Sequence, residues 1–527
     1  MQAYAVSYSK YLISASMVLY TLLSYIALPA SGVRRQTFEM MQRLCMSVFM
    51  INAFLTMTII SGSSMRMVFG VAVLAVMLGS SLLYRRVYKG ANMLMYNNIM
   101  MLLGIGLVII SRINEAKAYK QGAIAIAGIV FVLVFPYFRS HLDRLRRVTY
   151  FYALGGIAAL AGVLLLGAIT NGSKLSYTLA GITFQPSEFV KILFILFMAG
   201  ALCEEPTKGH IALLTATAVA HVGILLLSRD LGSALIFFVV YISMLYLATG
   251  KISYFLGGLL AGVIGAVICY LLFSHVRVRV EVFLDPWATI DGNGYQITQS
   301  LFAISFGGLF GAGLMQGMPS SIPFVESDFI FSAIVEEMGI VFGVCLMLLC
   351  LNIFIDFMML ARSYTNKFYR LYTFGTGIAF IFQAFMTIGG EVKFIPLTGV
   401  TLPLVSYGGS SVLATLMMFG VVGAIFILQT ERLERFRQRY EEEMRAQTGN
   451  LYETAGMNGM GGMNRTGGMQ GMNGMNQAGD MQGVNGGTGG MNNVNGMYEN
   501  DDFYRDFKGV PVYDPSRDFE GVNHFDF

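Results

Sequence analysis

The sequence predicts an all-α polytopic membrane protein, and three observations lead to that class. Of the 527 residues 55% are hydrophobic and 13% are charged, about half of the roughly 25% charged residues of ordinary soluble domains. The mean hydropathy is +0.62. About thirteen stretches approach the length of about 20 apolar residues that a membrane helix needs. Helices satisfy every backbone polar group within the bilayer, so we expect the membrane part to be helical throughout.

The predicted spans follow one another along most of the chain. The first three lie near 11–30, 45–62 and 67–84. The next seven lie near 94–111, 121–138, 149–169, 187–203, 210–227, 231–249 and 252–273. The last three lie near 329–353, 371–391 and 404–429. The start of the chain, through Gly32, also resembles a signal peptide, but its apolar run is long and another span follows quickly. We therefore predict a membrane helix there.

Composition divides the chain into three predicted parts. Residues 1–93 hold three N-terminal helices, residues 94–435 hold the remaining ten with a long loop at 274–328, and residues 436–527 form a tail rich in Met, Gly and Asn. Such a tail buries too little apolar surface to offset its ordering entropy, so we predict disorder. Lys and Arg number about 19 in the loops on the side of the C-terminus and about 10 on the other side, which predicts a cytoplasmic C-terminus and an outer loop 274–328.

The charge of the chain argues against nucleic-acid binding, and its cysteines argue against disulfides and zinc. A net charge of +4 over 527 residues makes no basic stripe of the kind that binds nucleic acid. Five cysteines lie in or beside apolar runs without paired spacing, so the sequence predicts neither a disulfide framework nor a zinc site.

Polar segments that are rich in Gly and Pro lie at the predicted outer ends of the helices. The clusters are Phe184–Gln–Pro–Ser–Glu–Phe189, Ser228–Arg–Asp–Leu–Gly–Ser233, the loop 274–328 and the segment 396–411. A transporter site tends to lie near the middle of the bilayer on broken helices. Four clusters on one face instead indicate a site that works at the outer membrane surface.

These residues resemble the SEDS family (shape, elongation, division and sporulation), whose members include FtsW, RodA and SpoVE. The resemblance runs from about residue 95 to about residue 435 and depends on a series of short motifs in a fixed order. They are Gln185–Pro–Ser–Glu188 with Lys191, Asp230–Leu–Gly232, Phe283–Leu–Asp–Pro–Trp287, Gly294–Tyr–Gln–Ile–Thr–Gln–Ser–Leu301, Gly307–Gly–Leu–Phe–Gly311, Ser327–Asp–Phe–Ile–Phe331, Glu336–Glu337 and Leu402–Pro–Leu–Val–Ser–Tyr–Gly–Gly–Ser410.

The resemblance implies a specific activity. SEDS enzymes are inverting glycosyltransferases with a ten-helix core, here residues 94–435, that join lipid II (undecaprenyl-pyrophosphate disaccharide-pentapeptide) into peptidoglycan at the outer face of the bacterial cytoplasmic membrane. They work with a class B penicillin-binding protein, a transpeptidase, in cell division, elongation or sporulation. The family's proposed catalytic carboxylate matches Asp328.

Asp328 suits the role of general base. Glycosidic bond formation requires the acceptor hydroxyl to lose a proton, and a positioned carboxylate contributes typically 10²–10⁴-fold to such a step. The alternative is that Asp328, after Ser327, caps a helix N-terminus and complements its dipole.

Arg277 and Arg279 are candidate ligands of the leaving pyrophosphate, because arginine matches phosphate oxygens with paired donors. The alternative is that they anchor the loop at anionic lipid headgroups. A divalent cation, Mg²⁺ or Mn²⁺, would serve the same neutralising purpose, and the sequence does not identify its ligands.

Four further residues are assigned to substrate binding alongside an alternative structural role. Glu188 and Lys191, three residues apart on one helix face, either line the substrate cavity or form an ion pair at the helix start. The same two alternatives, substrate binding and a structural role, apply to Asp230, although Ser228–Arg229 precedes it where the family usually has Gln–Pro. Gln296 either contacts substrate or structures the outer loop.

Ser410 is the last candidate, in a Gly-rich sequence that allows either a close approach to a ligand or a tight turn. Lys393 is a departure from the family, in a stretch that is normally apolar. Two other functions fit the same helices: a lipid II flippase or other transporter, and a non-catalytic scaffold of the cell-wall machinery.

Overall fold

The computed structural model describes residues 2–166, 168–170, 173–179, 182–204 and 206–460. The first helices are α1 (Gln2–Ala27), α2 (Gly32–Ser61), α3 (Ser64–Val87), α4 (Met93–Ile113), α5 (Glu115–Val134), α6 (Leu142–Leu145) and α7 (Thr149–Leu166). A three-stranded antiparallel sheet follows, in the order β1 (Ala168–Thr170), β2 (Ser173–Leu179) and β3 (Ile182–Phe184). The remaining helices are α8 (Pro186–Ala201), α9 (Lys208–Leu227), α10 (Leu231–Thr249), α11 (Ile252–Leu272), α12 (Ser274–Leu284), α13 (Tyr295–Gly307), α14 (Ile330–Ser363), α15 (Lys367–Glu391) and α16 (Gly409–Met460).

The predicted fold class, an all-α polytopic membrane protein, is confirmed. Among the described residues eleven helical segments are long and apolar enough to cross a membrane. One of them, Glu115–Leu166, comprises α5, α6 and α7 with the short 3₁₀ turns between them. Helix α8, with 16 residues, falls just below the length required. The count of thirteen spans stays a prediction. The small sheet was not predicted.

Helix α4 lies at the centre of the bundle, where its entire span is buried, whereas α11 buries none of its residues. The side chain of Asn92 caps α4 by accepting a hydrogen bond from the Met95 amide at 3.2 Å. The three N-terminal helices are tied to α4 by buried polar contacts. Tyr20 Oη donates to Asn98 Oδ1 at 3.1 Å, and Asn98 Nδ2 donates to Asn352 of α14 at 2.9 Å. Interhelical hydrogen bonds of this kind help membrane helices to associate.

Helix α14 is kinked at Gly339, and the kink anchors the loop that follows α13. Gly339 has φ 92°, and a Cβ there would lie 2.4 Å from the Gly311 nitrogen, so only glycine fits. Backbone groups of α14 next to the kink form hydrogen bonds with the loop. Ala312 N donates to Glu336 O and Ile340 N donates to Gly308 O, both at 2.9 Å. This pairing positions the loop that returns to residue 328.

The segment between α15 and α16 packs against the same loop. Ser406 Oγ donates to Ser327 O at 2.6 Å, and Tyr407 N donates to Glu326 O at 2.7 Å. The main-chain carbonyls of residues 326 and 327, next to Asp328, are therefore held by the segment before α16.

Helix α16 continues to Met460, beyond the predicted span 404–429 and into the first residues of the predicted disordered tail. Charged pairs at helical spacing, such as Glu431 with Arg435 at 3.9 Å, favour helix there. The described residues divide into a unit that ends at Leu428 and a second that begins at Gln429. Residues from 461 onward lie outside the described residues, so disorder there stays a prediction.

Candidate active site

A cavity of about 190 Å³ lies among α12, α13, the end of α15 and the segment that follows it. It is lined by Val278, Arg279, Val282, Phe283, Asn293, Gln296, Ile297, Asp328, Gly390, Lys393, Ile395, Leu397 and Gly399. Its charged groups are one carboxylate, Asp328, and two cations, Arg279 and Lys393. The cavity thus combines an acidic side chain with a cationic surplus in a partly apolar enclosure.

Asp328 does not cap α14. The residue at the N-cap position is Phe329, which makes no side-chain capping bond. The carboxylate of Glu391 takes that role from the end of α15. It accepts hydrogen bonds from the Ser332 amide and hydroxyl, both at 2.8 Å, and from the Phe331 amide at 3.4 Å. The alternative role considered for Asp328, a structural cap, is therefore filled by another residue, and the Asp328 carboxyl faces the cavity.

Burial raises the pKa of Asp328 above its ordinary value, and the negative charge of Glu326 acts in the same direction. A hydrogen bond from Ser327 and the positive charge of Arg279 oppose the rise without cancelling it. A carboxyl group with a raised pKa is a stronger base when ionised, which suits it to accept a proton.

The guanidinium of Arg279 is oriented by main-chain carbonyls. Its Nη1 donates to Leu397 O at 3.2 Å and to Thr398 O at 2.8 Å. Burial lowers the pKa of Arg279, while the nearby charges of Asp328 and Asp230 act to raise it. Arg277, the other arginine singled out in the sequence, is exposed and does not line the cavity.

Asp230 lies at the start of α10, where it caps the helix. It accepts from the Ser233 amide at 3.0 Å and from Ser187 Oγ of α8 at 3.1 Å, and its side chain is buried. Burial raises its pKa, against the effect of these hydrogen bonds. Asp230 is close enough to Arg279 for its negative charge to act on the pKa of the guanidinium, but Asp230 does not line the cavity.

Glu188 and Lys191 form a buried ion pair with Nζ and Oε2 2.8 Å apart. Lys191 Nζ also donates to Gln383 Oε1 of α15 at 2.6 Å, and Gln383 Nε2 donates to Thr401 O at 3.0 Å. The pair thus links α8 and α15 to the segment before α16. Neither residue lines the cavity, and their role in substrate binding stays a prediction.

Of the remaining two candidates, one lines the cavity and the other joins two helices. Gln296, on α13, lines the cavity. Ser410, in the first turn of α16, accepts a hydrogen bond from the Gln185 amide at 3.0 Å. It holds the starts of α8 and α16 together beside the site.

Sequence reasoning missed three residues of this region: Lys393, Asn293 and Glu391. Lys393 was noted only as a departure from the family. Asn293 lies in a loop without a distinctive signal. The partners of Glu391 are 59 and 60 residues away in the chain, so no local pattern reveals its capping role.

The arrangement can bind an anion and remove a proton beside it. Cations of Arg279 and Lys393 neutralise negative charge, and the Asp328 carboxylate accepts a proton from a group held next to that charge. Asn293 and Gln296 supply neutral donors and acceptors for hydroxyl or amide groups.

Known proteins resemble this chain in sequence and in fold. The family model described as cell cycle protein, of FtsW, RodA and SpoVE type, matches residues 91–431. The peptidoglycan glycosyltransferase RodA of Mycobacterium tuberculosis is 33% identical over 387 residues, which cover 68% of this chain and 82% of that protein. The probable peptidoglycan glycosyltransferase FtsW of Aeromonas salmonicida is 37% identical over 275 residues, or 50% of this chain and 69% of that protein. A solved structure of a peptidoglycan synthase complex that coordinates polymerization and crosslinking aligns with a TM-score of 0.57 and 27% identity, covering 64% of this chain and 97% of that one.

Proposed function

We propose that this chain, which belongs to the FtsW, RodA and SpoVE family of cell cycle proteins, is a peptidoglycan glycosyltransferase that polymerises lipid II. The observation that carries the proposal is the Asp328 carboxyl group. It faces a cavity with two cations and is not used to cap the helix that follows it. The reaction is an inverting glycosyl transfer between two lipid-anchored sugars at the outer face of the bacterial cytoplasmic membrane.

The chemistry is a single displacement. The 4-hydroxyl oxygen of the acceptor GlcNAc attacks the anomeric carbon of the donor MurNAc, and the bond from that carbon to the pyrophosphate oxygen breaks. The hydroxyl proton passes to Asp328, and the electron pair of the broken bond leaves with the pyrophosphate. One displacement at the carbon converts an α-linked donor into a β-1,4 product.

Arg279 would stabilise the leaving group. Two carbonyl oxygens hold its Nη1, which leaves Nε and Nη2 as donors beside the cavity. Oriented donors of this kind stabilise charge that develops in a transition state without the need for reorganisation. Because both substrates are lipid-anchored, correct presentation of their headgroups also contributes to the rate.

We further propose that a divalent cation, Mg²⁺ or Mn²⁺, reaches the site with the pyrophosphate. Mg²⁺ commonly binds substrate phosphates and keeps several of its waters, so the pyrophosphate itself would supply the ligands of the cation and leave the Asp328 carboxylate free to accept the proton. Within the described part of the chain no group of three or more His, Cys, Asp and Glu is placed to hold a metal ion. The donor set therefore does not fit a cation held by the protein alone.

Orientation and partner are part of the same proposal. The loop bias of Lys and Arg supports a cytoplasmic C-terminus, which puts the cavity on the outer side. The polymer needs crosslinking, and the similarity to a synthase complex supports a class B penicillin-binding protein as the partner transpeptidase.

The test uses purified full-length protein in proteoliposomes with labelled lipid II, with and without a cognate transpeptidase. A polymerase produces long glycan chains, which gel electrophoresis resolves. A flippase moves the label across the bilayer without forming chains, and a scaffold does neither. Either of the last two results would overturn the proposal.

The two arginines provide a matched comparison. We expect Arg279→Gln to lower kcat/KM about tenfold to a hundredfold, because a hydrogen bond to a charged group contributes about 1.5–3 kcal/mol. Arg277→Gln removes the same charge from an exposed position outside the cavity, so its effect should be less than about twofold, in line with the small worth of exposed charges. Steady-state kinetics with lipid II measures both. Equal losses in the two variants would contradict the assignment.

The raised pKa of Asp328 predicts the pH dependence. Asp328 must be ionised to accept the proton, so activity should rise with pH through a midpoint above 3.8, the ordinary value for aspartate. The charge of Glu326 contributes to the raised pKa. Glu326→Gln should therefore move the acidic limb of the kcat/KM profile to lower pH. An unmoved or upward-shifted limb in that variant would show that another group controls the profile.

A further inference from the structure

Lys393 follows the end of α15 and lines the same cavity as Asp328 and Arg279. We propose that Lys393, together with Arg279, binds the pyrophosphate of the lipid-linked donor. This inference rests on the proposed function, since it assigns a ligand to the same site.

The backbone at Lys393 is the first observation. Its φ is 57°, in the left-handed region that glycine adopts without strain and other residues adopt at a cost. It lies in the turn that ends α15, where Val392 N donates to Ile388 O at 3.0 Å and Phe394 N donates to Gly389 O at 2.7 Å. Helix ends of this form usually carry glycine or asparagine. A lysine held in this conformation at a cavity wall points to a role for its side chain.

The hydrogen bonding of the ammonium group is the second observation. Lys393 Nζ has three donors, and its one contact among the described residues is to Leu284 O at 3.5 Å, the limit of a hydrogen bond. The group is half-buried, with donors left for a ligand in the cavity.

The charge balance of the cavity is the third observation. Arg279 and Lys393 come from different elements, α12 and the turn after α15, and Asp328 is the one acidic group among the residues that line the cavity. The lining carries a net charge of about +1 from these three groups. This favours an anionic ligand beside the carboxylate. A pyrophosphate, attached to the carbon that reacts, is the anion that the proposed reaction brings there.

Substitution with glycine separates the side chain's role from that of the backbone. Lys393→Gly relieves the left-handed conformation, so we expect the thermal unfolding temperature of the full-length protein in detergent to stay equal or rise. The KM for lipid II should nevertheless increase about tenfold or more, because a charge-assisted bond to phosphate is lost. Lys393→Asn, which also tolerates this backbone, should behave likewise, and Lys393→Arg should restore binding.

The binding probe is undecaprenyl pyrophosphate, compared with undecaprenol and with vesicles of phosphatidylglycerol. We expect Lys393→Gly to weaken binding of the pyrophosphate about tenfold and to leave undecaprenol binding unchanged. Equal loss for phosphatidylglycerol would make Lys393 a general headgroup anchor and overturn the inference.

The outcomes separate this inference from the proposed function. If the wild-type protein polymerises lipid II and Lys393→Gly leaves KM and pyrophosphate binding unchanged, the inference is wrong and the function stands. If the wild-type protein forms no polymer but binds undecaprenyl pyrophosphate in a manner that depends on Lys393, the function is wrong and the site stands.

Discussion

Replacing Asp328 by asparagine is expected to lower kcat for lipid II polymerisation by about 10²–10⁴-fold, the usual contribution of a general base. Asparagine has nearly the same shape but cannot accept the hydroxyl proton. The substitution also removes the one negative charge that lines the cavity. The cations of Arg279 and Lys393 then face the pyrophosphate without competition, so KM should stay the same or fall. A drop in kcat without a rise in KM is the signature of a group that acts in the transition state.

The fold should tolerate this change, because Glu391 rather than Asp328 caps α14. Glu391→Gln is the matched control. It replaces a buried carboxyl group whose two oxygens accept three hydrogen bonds with an amide whose NH2 group cannot accept any, so it should lower the unfolding temperature more than Asp328→Asn does. Wild-type polymerisation by a folded Asp328→Asn protein would refute the proposed mechanism.

Much of the site could be predicted because membrane helices begin and end at polar residues. The motifs at Gln185–Glu188, Asp230 and Ser410 are each at a helix start, and alternating spans bring alternate helix starts to one face. The structure joins them through contacts such as Ser187 with Asp230 and Gln185 with Ser410. What the sequence could not indicate is which of these polar groups face the cavity and which support its walls.

The unpredicted features depend on contacts between distant residues or on a short loop. Glu391 ends an apolar span, and its capping partners belong to another helix. The small sheet at 168–184 did have a local signal, since Asn171–Gly172 is a dipeptide typical of two-residue hairpin turns. Lys393 carried a signal of a different kind, a charge in an apolar stretch, and its meaning depends on the backbone turn that the structure reveals.

Breaking the ion pair of Glu188 and Lys191 is expected to have the largest effect on stability. Lys191→Met leaves the Glu188 carboxylate buried without its partner, and removing one member of a buried pair costs about 3–5 kcal/mol. It also removes the bond to Gln383, which connects to the segment before α16. We expect a markedly lower unfolding temperature for the full-length protein in detergent.

The double variant, Glu188→Gln with Lys191→Met, should recover most of that stability, because no uncompensated charge remains in the bundle. Together with the single variant Glu188→Gln and the wild type, these proteins form a double-mutant cycle, and the coupling energy measures the pair itself. An unfolding temperature of Lys191→Met equal to that of the wild type would contradict the structural role.

Polymerisation by the stable double variant then shows whether Glu188 and Lys191 also contact the substrate. Recovered activity would limit the pair to holding α8 and α15 together, whereas a stable but inactive double variant would support the prediction that these side chains contact the substrate.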